Sequence, residues 1–369
     1  MRMVKKNTKI FLELVKAGLW GAEVQLSLDE EIDYTALFAL SEEQSVVGIV
    51  TAGLEKIKGT TVPKEWTLQF IGSTLQIEQR NKEMNVFVAK LVADIRKAGI
   101  YTLLVKGQGI AQCYEKPFWR ACGDVDLYLS KDNYELAKKH LIPKASHVDE
   151  EDKKQMHQGM TIDGWVVELH GTMYGEISRR MNKGLDEVHR DIFYGGAVRS
   201  WNNNGVQVFL PSADNDVIIV FTHFLQHFFI EGVGLRQICD WCRLLWTYRD
   251  SLNHGLLESR IRKMGLMKEW KVFGALAVDI LGMPNEAMPF YDARYKTKAE
   301  KVLKRVLKSG NFGHNNDLSY RAKYKGMTYK VVATWRRFWD FASLVPVFPL
   351  DAPKFFVRYL YGKTKGTAV

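Results

Sequence analysis

Apolar and polar positions along this chain change their period twice. Up to Gly99 the spacing is helical. Phe11, Leu12, Leu14, Val15 and Leu19 supply one apolar face, and residues 75–97 set Ile77, Met84, Val88, Leu91, Val92 and Ile95 against charges on the other side. Ser41-Glu42-Glu43-Gln44 has the form of a capping box opening a further helix. Between residues 101 and 211 the period shortens. Residues 101–105 and 124–130 read as strands, residues 133–140 as a helix stopped by Pro143, and residues 206–210 as a last strand before Pro211. Residues 157–162 and 165–170 flank Asp163-Gly164, a dipeptide that two-residue hairpins favour because both central residues take positive φ. From Asp214 the helical spacing returns over residues 217–229, 235–248 and 256–281, with a loop at 309–313. The pattern predicts an α+β protein: a small mixed β-sheet core flanked by N- and C-terminal helical regions. Its expected parts are a helical region at 1–74, an α/β core at 75–211, a helical domain at 212–328 and a tail at 329–369.

Composition narrows the class. A 369-residue chain with 46% hydrophobic and 25% charged residues is that of a folded protein with room for more than one core. No signal-peptide pattern opens it, and no window approaches the ~18 uncharged apolar residues of a membrane span, so the expected compartment is the cytoplasm. The four cysteines are expected as free thiols. Cys239 and Cys242 form a CxxC, but it lies in a helical run with no second pair at ligand spacing, so packing is preferred to zinc.

The net charge of +10 is concentrated at one end. Residues 319–369 hold ten Lys or Arg against Asp340 and Asp351, so an anionic partner is to be sought there. The same segment interleaves Trp335, Phe338, Trp339, Phe355, Phe356, Tyr359 and Tyr361 with Arg336, Arg337, Lys354 and Arg358. Three surfaces suit that composition: an anionic membrane, an RNA, or a helix docking its rings on the core with charges outward.

The chemistry-bearing residues lie in the middle third. Side chains alternate along a strand, so Asp124 and Asp126 share one face while Val125, Leu127 and Leu129 take the other. Paired carboxylates of this kind hold Mg²⁺ against a nucleoside triphosphate, and an Asp-x-Asp also holds the metal of sugar nucleotides in glycosyltransferases. Before them runs Lys106-Gly107-Gln108-Gly109, a turn at which backbone can approach phosphate. Glu168 shares its strand face with His170 and Val166, and is expected as a third metal ligand or a base. Arg120 suits phosphate, or a local acid such as Glu115. Arg236 and Asp240 have the spacing of an i,i+4 pair, and His223 with His227 is expected to pack rather than ligate.

Taken together, KGQGIAQCYEKPFWRACGDVDLYL and the later VVELH resemble the bacterial uncharacterised nucleotidyltransferase family of the DNA-polymerase-beta-like superfamily. In that family a Lys-Gly turn is followed by an arginine, an Asp-x-Asp strand, and a later strand with an acid two residues before a histidine. The resemblance spans about residues 75–245. It implies transfer of a nucleoside monophosphate from an NTP to an acceptor, with Mg²⁺ (or Mn²⁺) held by Asp124, Asp126 and Glu168. It also implies an NTP cradled by Lys106, Gly107, Gln108, Gly109 and Arg120. The wider superfamily carries Gly-Gly or Gly-Ser at the phosphate turn, whereas Gln108 follows Gly107 here. The acceptor stays open between a small hydroxylated molecule, a protein side chain and an RNA end. A non-catalytic nucleotide- or partner-binding protein of the same fold, and a metal-dependent glycosyltransferase, are the competing readings.

Overall fold

The computed structural model describes residues 2–25, 32–59, 61–316 and 319–364. The N-terminal helical period folds as α1 (Arg2–Trp20), α2 (Tyr34–Glu43), α3 (Val47–Leu54) and α4 (Lys64–Lys97), with a short parallel pair between β1 (Val24–Gln25) and β2 (Ile57–Lys58). Two local expectations change. Ser41 sits in the last turn of α2 with its Oγ donating to the Leu37 carbonyl at 2.7 Å, and α3 begins without a side-chain cap. The cap of this region is Asp33, which accepts from the Ala36 amide at 2.9 Å and opens α2. α4 runs unbroken for 34 residues, so positions 74 and 75 lie in mid-helix. Leu68, Ile71 and Leu75 are exposed on its first half and blur the apolar stripe that marks the second.

The short-period segment builds the sheet. Its elements are β3 (Leu103–Val105), α5 (Gly107–Ala111), β4 (Asp124–Tyr128), α6 (Lys131–Leu141), β5 (His147–Val148), β6 (His157–Ile162) and β7 (Trp165–His170). The strand order is β3-β4-β7-β6-β5. β4 and β7 run parallel, joined by a crossover through α6, and the other neighbours are antiparallel. The hairpin between β6 and β7 turns through Asp163 (φ 49°) and Gly164 (φ 79°), both left-handed as its sequence requires.

After α7 (Arg179–Phe193), β8 (Val198–Asn203) and β9 (Val206–Pro211) form a second hairpin. It turns through Asn204 (φ 50°) and Gly205 (φ 81°), the same chemistry as the first. Apolar alternation marks β9 but not β8, whose Asn202-Asn203 end is polar.

The helical C-terminal part comprises α8 (Ala213–Ile230), α9 (Leu235–Tyr248), α10 (His254–Met264), α11 (Met267–Ala275), α12 (Lys296–Ser309), α13 (Tyr320–Lys323), α14 (Gly326–Ala342) and α15 (Asp351–Thr364). All four cysteines are buried free thiols, and Cys239 and Cys242 lie inside α9. No described helix is long and apolar enough to cross a membrane. Of the tail cations, Lys365 lies outside the described residues, as do the side chains of Arg321 and Lys363.

The sheet separates two apolar cores. Val125, Leu127, Leu129, Val167 and Leu169 pack with Met84, Val88 and Ile95 of α4 and with Tyr134 and Leu141 of α6. Leu103, Val105 and Tyr128 face the larger core, where Phe221 of α8, Trp241 of α9 and Trp270 of α11 join Phe11 of α1 and Val50 of α3. N- and C-terminal helices therefore share one interior, and the aspartate face of β4 is turned toward it. Burial of this kind contributes on the order of 25 cal/mol per Å² of apolar surface, and it keeps each strand's faces from exchanging.

Within the larger core Glu269 of α11 is fully buried. Burial first, and the charge of Asp351 second, push its carboxyl up to about 8. A folded pKa above the unfolded one means that stability is greatest while the group is protonated and falls as pH rises through the folded value. Glu269→Gln keeps the neutral shape. It should match the wild type at the acid end and exceed it by a few kcal/mol above about pH 8, as read from urea unfolding at the two extremes.

Candidate active site

The register of β4 against β7 brings the acids together. Asp126 lies opposite Glu168 on the parallel neighbour, and Asp124 lies two residues earlier on the same face of β4. Asp126 is buried. Its Oδ1 accepts from Lys106 Nζ at 2.7 Å, and His170 Nε2 lies 2.7 Å from the same oxygen. Glu168 Oε2 sits 3.2 Å from His157 Nε2 and 3.4 Å from His170 Nε2. Asp126 and Glu168 thus share two histidines and one lysine, with Asp124 beside them on the same face of β4.

Electrostatics follow from that crowding. The neighbouring charge of Asp126, then burial, raises the Asp124 carboxyl above its ordinary value. Burial disfavours the Lys106 ammonium, but Asp126, Glu168 and Asp124 outweigh it and hold the lysine above its usual range. Burial also raises Glu168, yet the hydrogen bonds from His157 and His170 and the charge of Lys106 overcome it and hold the carboxyl far below the carboxylate range. His170 is likewise disfavoured as a cation by burial, and its bonds to Asp126 and Glu168 lift it above the ordinary imidazole value. His223 is pushed well below that value, first by burial and then by the positive charge of Lys106.

The turn before β4 is strained where it meets this cluster. Lys106 (φ 55°) and Gly107 (φ 38°) both occupy the left-handed region, and a Cβ on Gly107 would lie 3.2 Å from Cys122 Sγ. Glycine is needed at 107 on both counts. The neighbouring positions have other duties. Gln108 is buried, and its Nε2 donates to Asn81 Oδ1 of α4 at 2.7 Å. A Cβ on Gly109 would come within 2.8 Å of Leu210, so that glycine lets α5 approach β9.

A narrow cleft of about 40 Å³ opens on the site. Lys106, Gly107, Arg120, Asp124 and Asp126 line one side, and His223, Phe224, Arg236, Gln237 and Phe312 the other. Of the residues expected from sequence, Gln108 and Gly109 do not line this cleft, and Glu168 stands behind it, beside Asp126.

Arg120 is held by a partner far along the chain. Its Nε and Nη2 donate to Asp240 Oδ1 and Oδ2 at 3.1 and 2.5 Å, and the Tyr114 hydroxyl donates to Oδ1 at 2.8 Å. Asp240 therefore pairs with Arg120 in place of the expected helical pair with Arg236. Arg236 instead donates through Nη1 to the Ala121 carbonyl at 2.8 Å, and its Nε has no hydrogen-bond partner in the structure. The fork of Arg120 meets a carboxylate squarely, which an i,i+4 neighbour on one helix cannot match. His223 and His227 stack edge to face with ring centroids 4.6 Å apart, and His227 turns to Glu231.

Two residues at the site escape the sequence reading. His157 was within reach: counting outward from the two-residue turn at Asp163-Gly164 places it opposite His170, as observed. Arg236 was expected only as a helical partner of Asp240, because tertiary packing is what brings α9 to the cleft.

The donor chemistry suits a divalent cation in two overlapping ways. Asp124, Asp126 and Glu168 are the oxygen donors that Mg²⁺ or Mn²⁺ prefers, but Asp124 and Asp126 fall outside the set of described donor atoms that lie within 4.8 Å of one another. His157, Glu168 and His170 have one donor atom each within 4.8 Å of one another, a set better matched to softer ions.

This fold, with Asp124 and Asp126 on one strand and Glu168 on its parallel neighbour beside a strained Lys-Gly turn, defines a nucleotidyltransferase-like α+β protein. The chain belongs to the uncharacterised nucleotidyltransferase family, whose model matches residues 30–282. No curated protein matches it. Among solved structures, one described as an antigenic nucleotidyltransferase-like protein from Paracoccidioides brasiliensis is similar over 54% of this chain and 93% of its own. Its identity of 14% and TM-score of 0.33 add nothing to the family assignment.

The buried clamp on Arg120 yields a stability prediction. Asp240→Ala leaves a guanidinium without its counter-charge in the interior, which costs about 3–5 kcal/mol. Urea unfolding should show that loss, and an unchanged midpoint would rule out the clamp.

Proposed function

We propose that this protein is a divalent-metal-dependent nucleotidyltransferase of the polymerase-beta-like type, moving a nucleoside monophosphate from an NTP to a hydroxyl-bearing acceptor. The observation that carries this reading is the pairing of Asp126 with Glu168 across two parallel strands, with Asp124 on the same face. Family membership supports the same class of reaction.

In this reading Asp124, Asp126 and Glu168 hold Mg²⁺ or Mn²⁺. When bound, such an ion neutralises triphosphate oxygens and lowers the pKa of an attacking hydroxyl. Lys106, at the mouth of the strained turn, meets phosphate with its ammonium, and Gly107 lets the backbone come close. His157 and His170 fix the Glu168 carboxylate in its ionised form through the bonds described above. Arg236, on the far wall, supplies a second cation to the triphosphate. Arg120 lines the same wall as Lys106 but is locked to Asp240, and so keeps the 117–121 segment and α9 in place around the cleft.

Asp124 offers the sharpest test, because its carboxylate is pressed against a like charge. Asp124→Asn removes that repulsion with almost no change of shape. Its thermal midpoint should equal or exceed that of the wild type. Bound NTP raises apparent stability by mass action, so at least one of ATP, CTP, GTP and UTP should stabilise the wild type more with Mg²⁺ than without. The variant should lose that Mg²⁺-dependent increment, along with pyrophosphate release on adding the acceptor. Stabilisation by UDP-sugars alone would move the reaction to glycosyl transfer. No stabilisation by any nucleotide would leave a binding protein without this chemistry.

A further inference from the structure

The last helices present two faces of opposite character. α14 and α15 dock on the core through Phe341, Phe348 and Phe355, whose rings lie 6.0, 5.4 and 4.8 Å from Phe229 of α8. Arg337 also turns inward, onto the Ile230 carbonyl and Asp340. The expected docking of the tail's rings thus describes one face only.

The other face of α14 is apolar and open. Met327 (75% exposed), Val331 (62%), Trp335 (61%) and Trp339 (57%) follow one another at helical spacing, with Phe338 among them. At 100° per residue these five positions fall within an arc of about 120°. Exposed Lys330 and Arg336 border the arc on its two sides. Trp335 stacks on Phe338 at 5.8 Å and meets Trp339 edge-on at 5.9 Å, so the rings form one surface rather than scattered contacts. A groove lined by Val331, Thr334, Trp335, Phe338 and Phe356 continues it toward α15. Beyond α14, Lys325 and Lys354 are exposed as well, while the segment's two acids, Asp340 and Asp351, are half-buried.

We propose that this face of α14 lies in the surface of an anionic lipid bilayer, with its side chains at the boundary between headgroups and acyl chains and the cations on the headgroups. Tryptophan favours that depth because its ring is amphipathic. A flanked apolar stripe on a helix too polar to span is the form such interfacial segments take. Charge and chemistry choose this occupant over the alternatives. An RNA would use the rings, but Met327 and Val331 offer bases nothing to stack on. A second copy of the chain would bring Lys330 and Arg336 against their own kind.

Sedimentation of the full chain with lipid vesicles tests the proposal. Vesicles of phosphatidylcholine mixed with phosphatidylglycerol should carry the protein down, and phosphatidylcholine alone should do so at least an order of magnitude less well. Trp335→Glu with Trp339→Glu, both on the open face, should abolish binding without moving the thermal midpoint. Lys330→Glu with Arg336→Glu should keep the rings and lose the preference for anionic vesicles. Absence of sedimentation with either vesicle overturns the proposal. So does a dimer in light scattering that the tryptophan variant dissolves, or binding that only single-stranded RNA supports.

Discussion

The parallel register of β4 and β7 is the constraint on which the rest of the site depends. It sets Asp126 directly across from Glu168, and a slip of one residue would send one of them into the apolar layer under the sheet. That slip is forbidden by packing on both faces. Val125, Leu127, Val167 and Leu169 are committed to the core with α4 and α6, while Tyr128 is committed to the core with α8. Ordinary hydrophobic burial thereby holds three like charges together, a placement that electrostatics alone would oppose.

Such a concentration of acid persists only with compensation, and the compensation comes from several directions. Lys106 reaches Asp126 from a strained turn, His170 comes from the neighbouring strand, and His157 from the far strand of the hairpin. The balance is incomplete, since Asp124 remains raised by its neighbour. A site that carries unrelieved repulsion gives up stability, a cost that functional sites commonly bear. Around it the helical part supplies a wall rather than a lid. Asp240 clamps Arg120, and Gln44 accepts from the Leu235 amide at 3.0 Å, so the N-terminal helices and the segment before β4 are both tied to α9.

The helices at the far end divide the work of an aromatic-rich segment by face. Phe341, Phe348 and Phe355 are spent on Phe229, and Trp335, Phe338 and Trp339 are left outside. Composition alone did not separate these two groups, because both are rings beside cations at similar spacing. The helical phase, once α14 was docked through Phe341, separated them.

Some short local rules held in the structure, while the capping box at Ser41 and the helical pair of Arg236 with Asp240 did not. Alternation put Asp124 with Asp126 and Glu168 with His170, and Asp163-Gly164 set a two-residue turn whose register also implied His157. Helical spacing divided the α+β pattern into its helical and sheet parts, though it shortened α4, where exposed leucines hid the stripe, and missed β8, whose strand is polar. Only the tertiary structure decided which distant groups meet. Arg120 took Asp240 over any local acid, Gln108 turned to Asn81 rather than to the cleft, and Arg236 came to the site on a helix more than a hundred residues from the aspartates. The reason is physical: periodicity encodes which way a side chain points, whereas a buried charge or amide takes the partner that topology delivers with the best geometry, and nothing in the neighbouring residues specifies that partner.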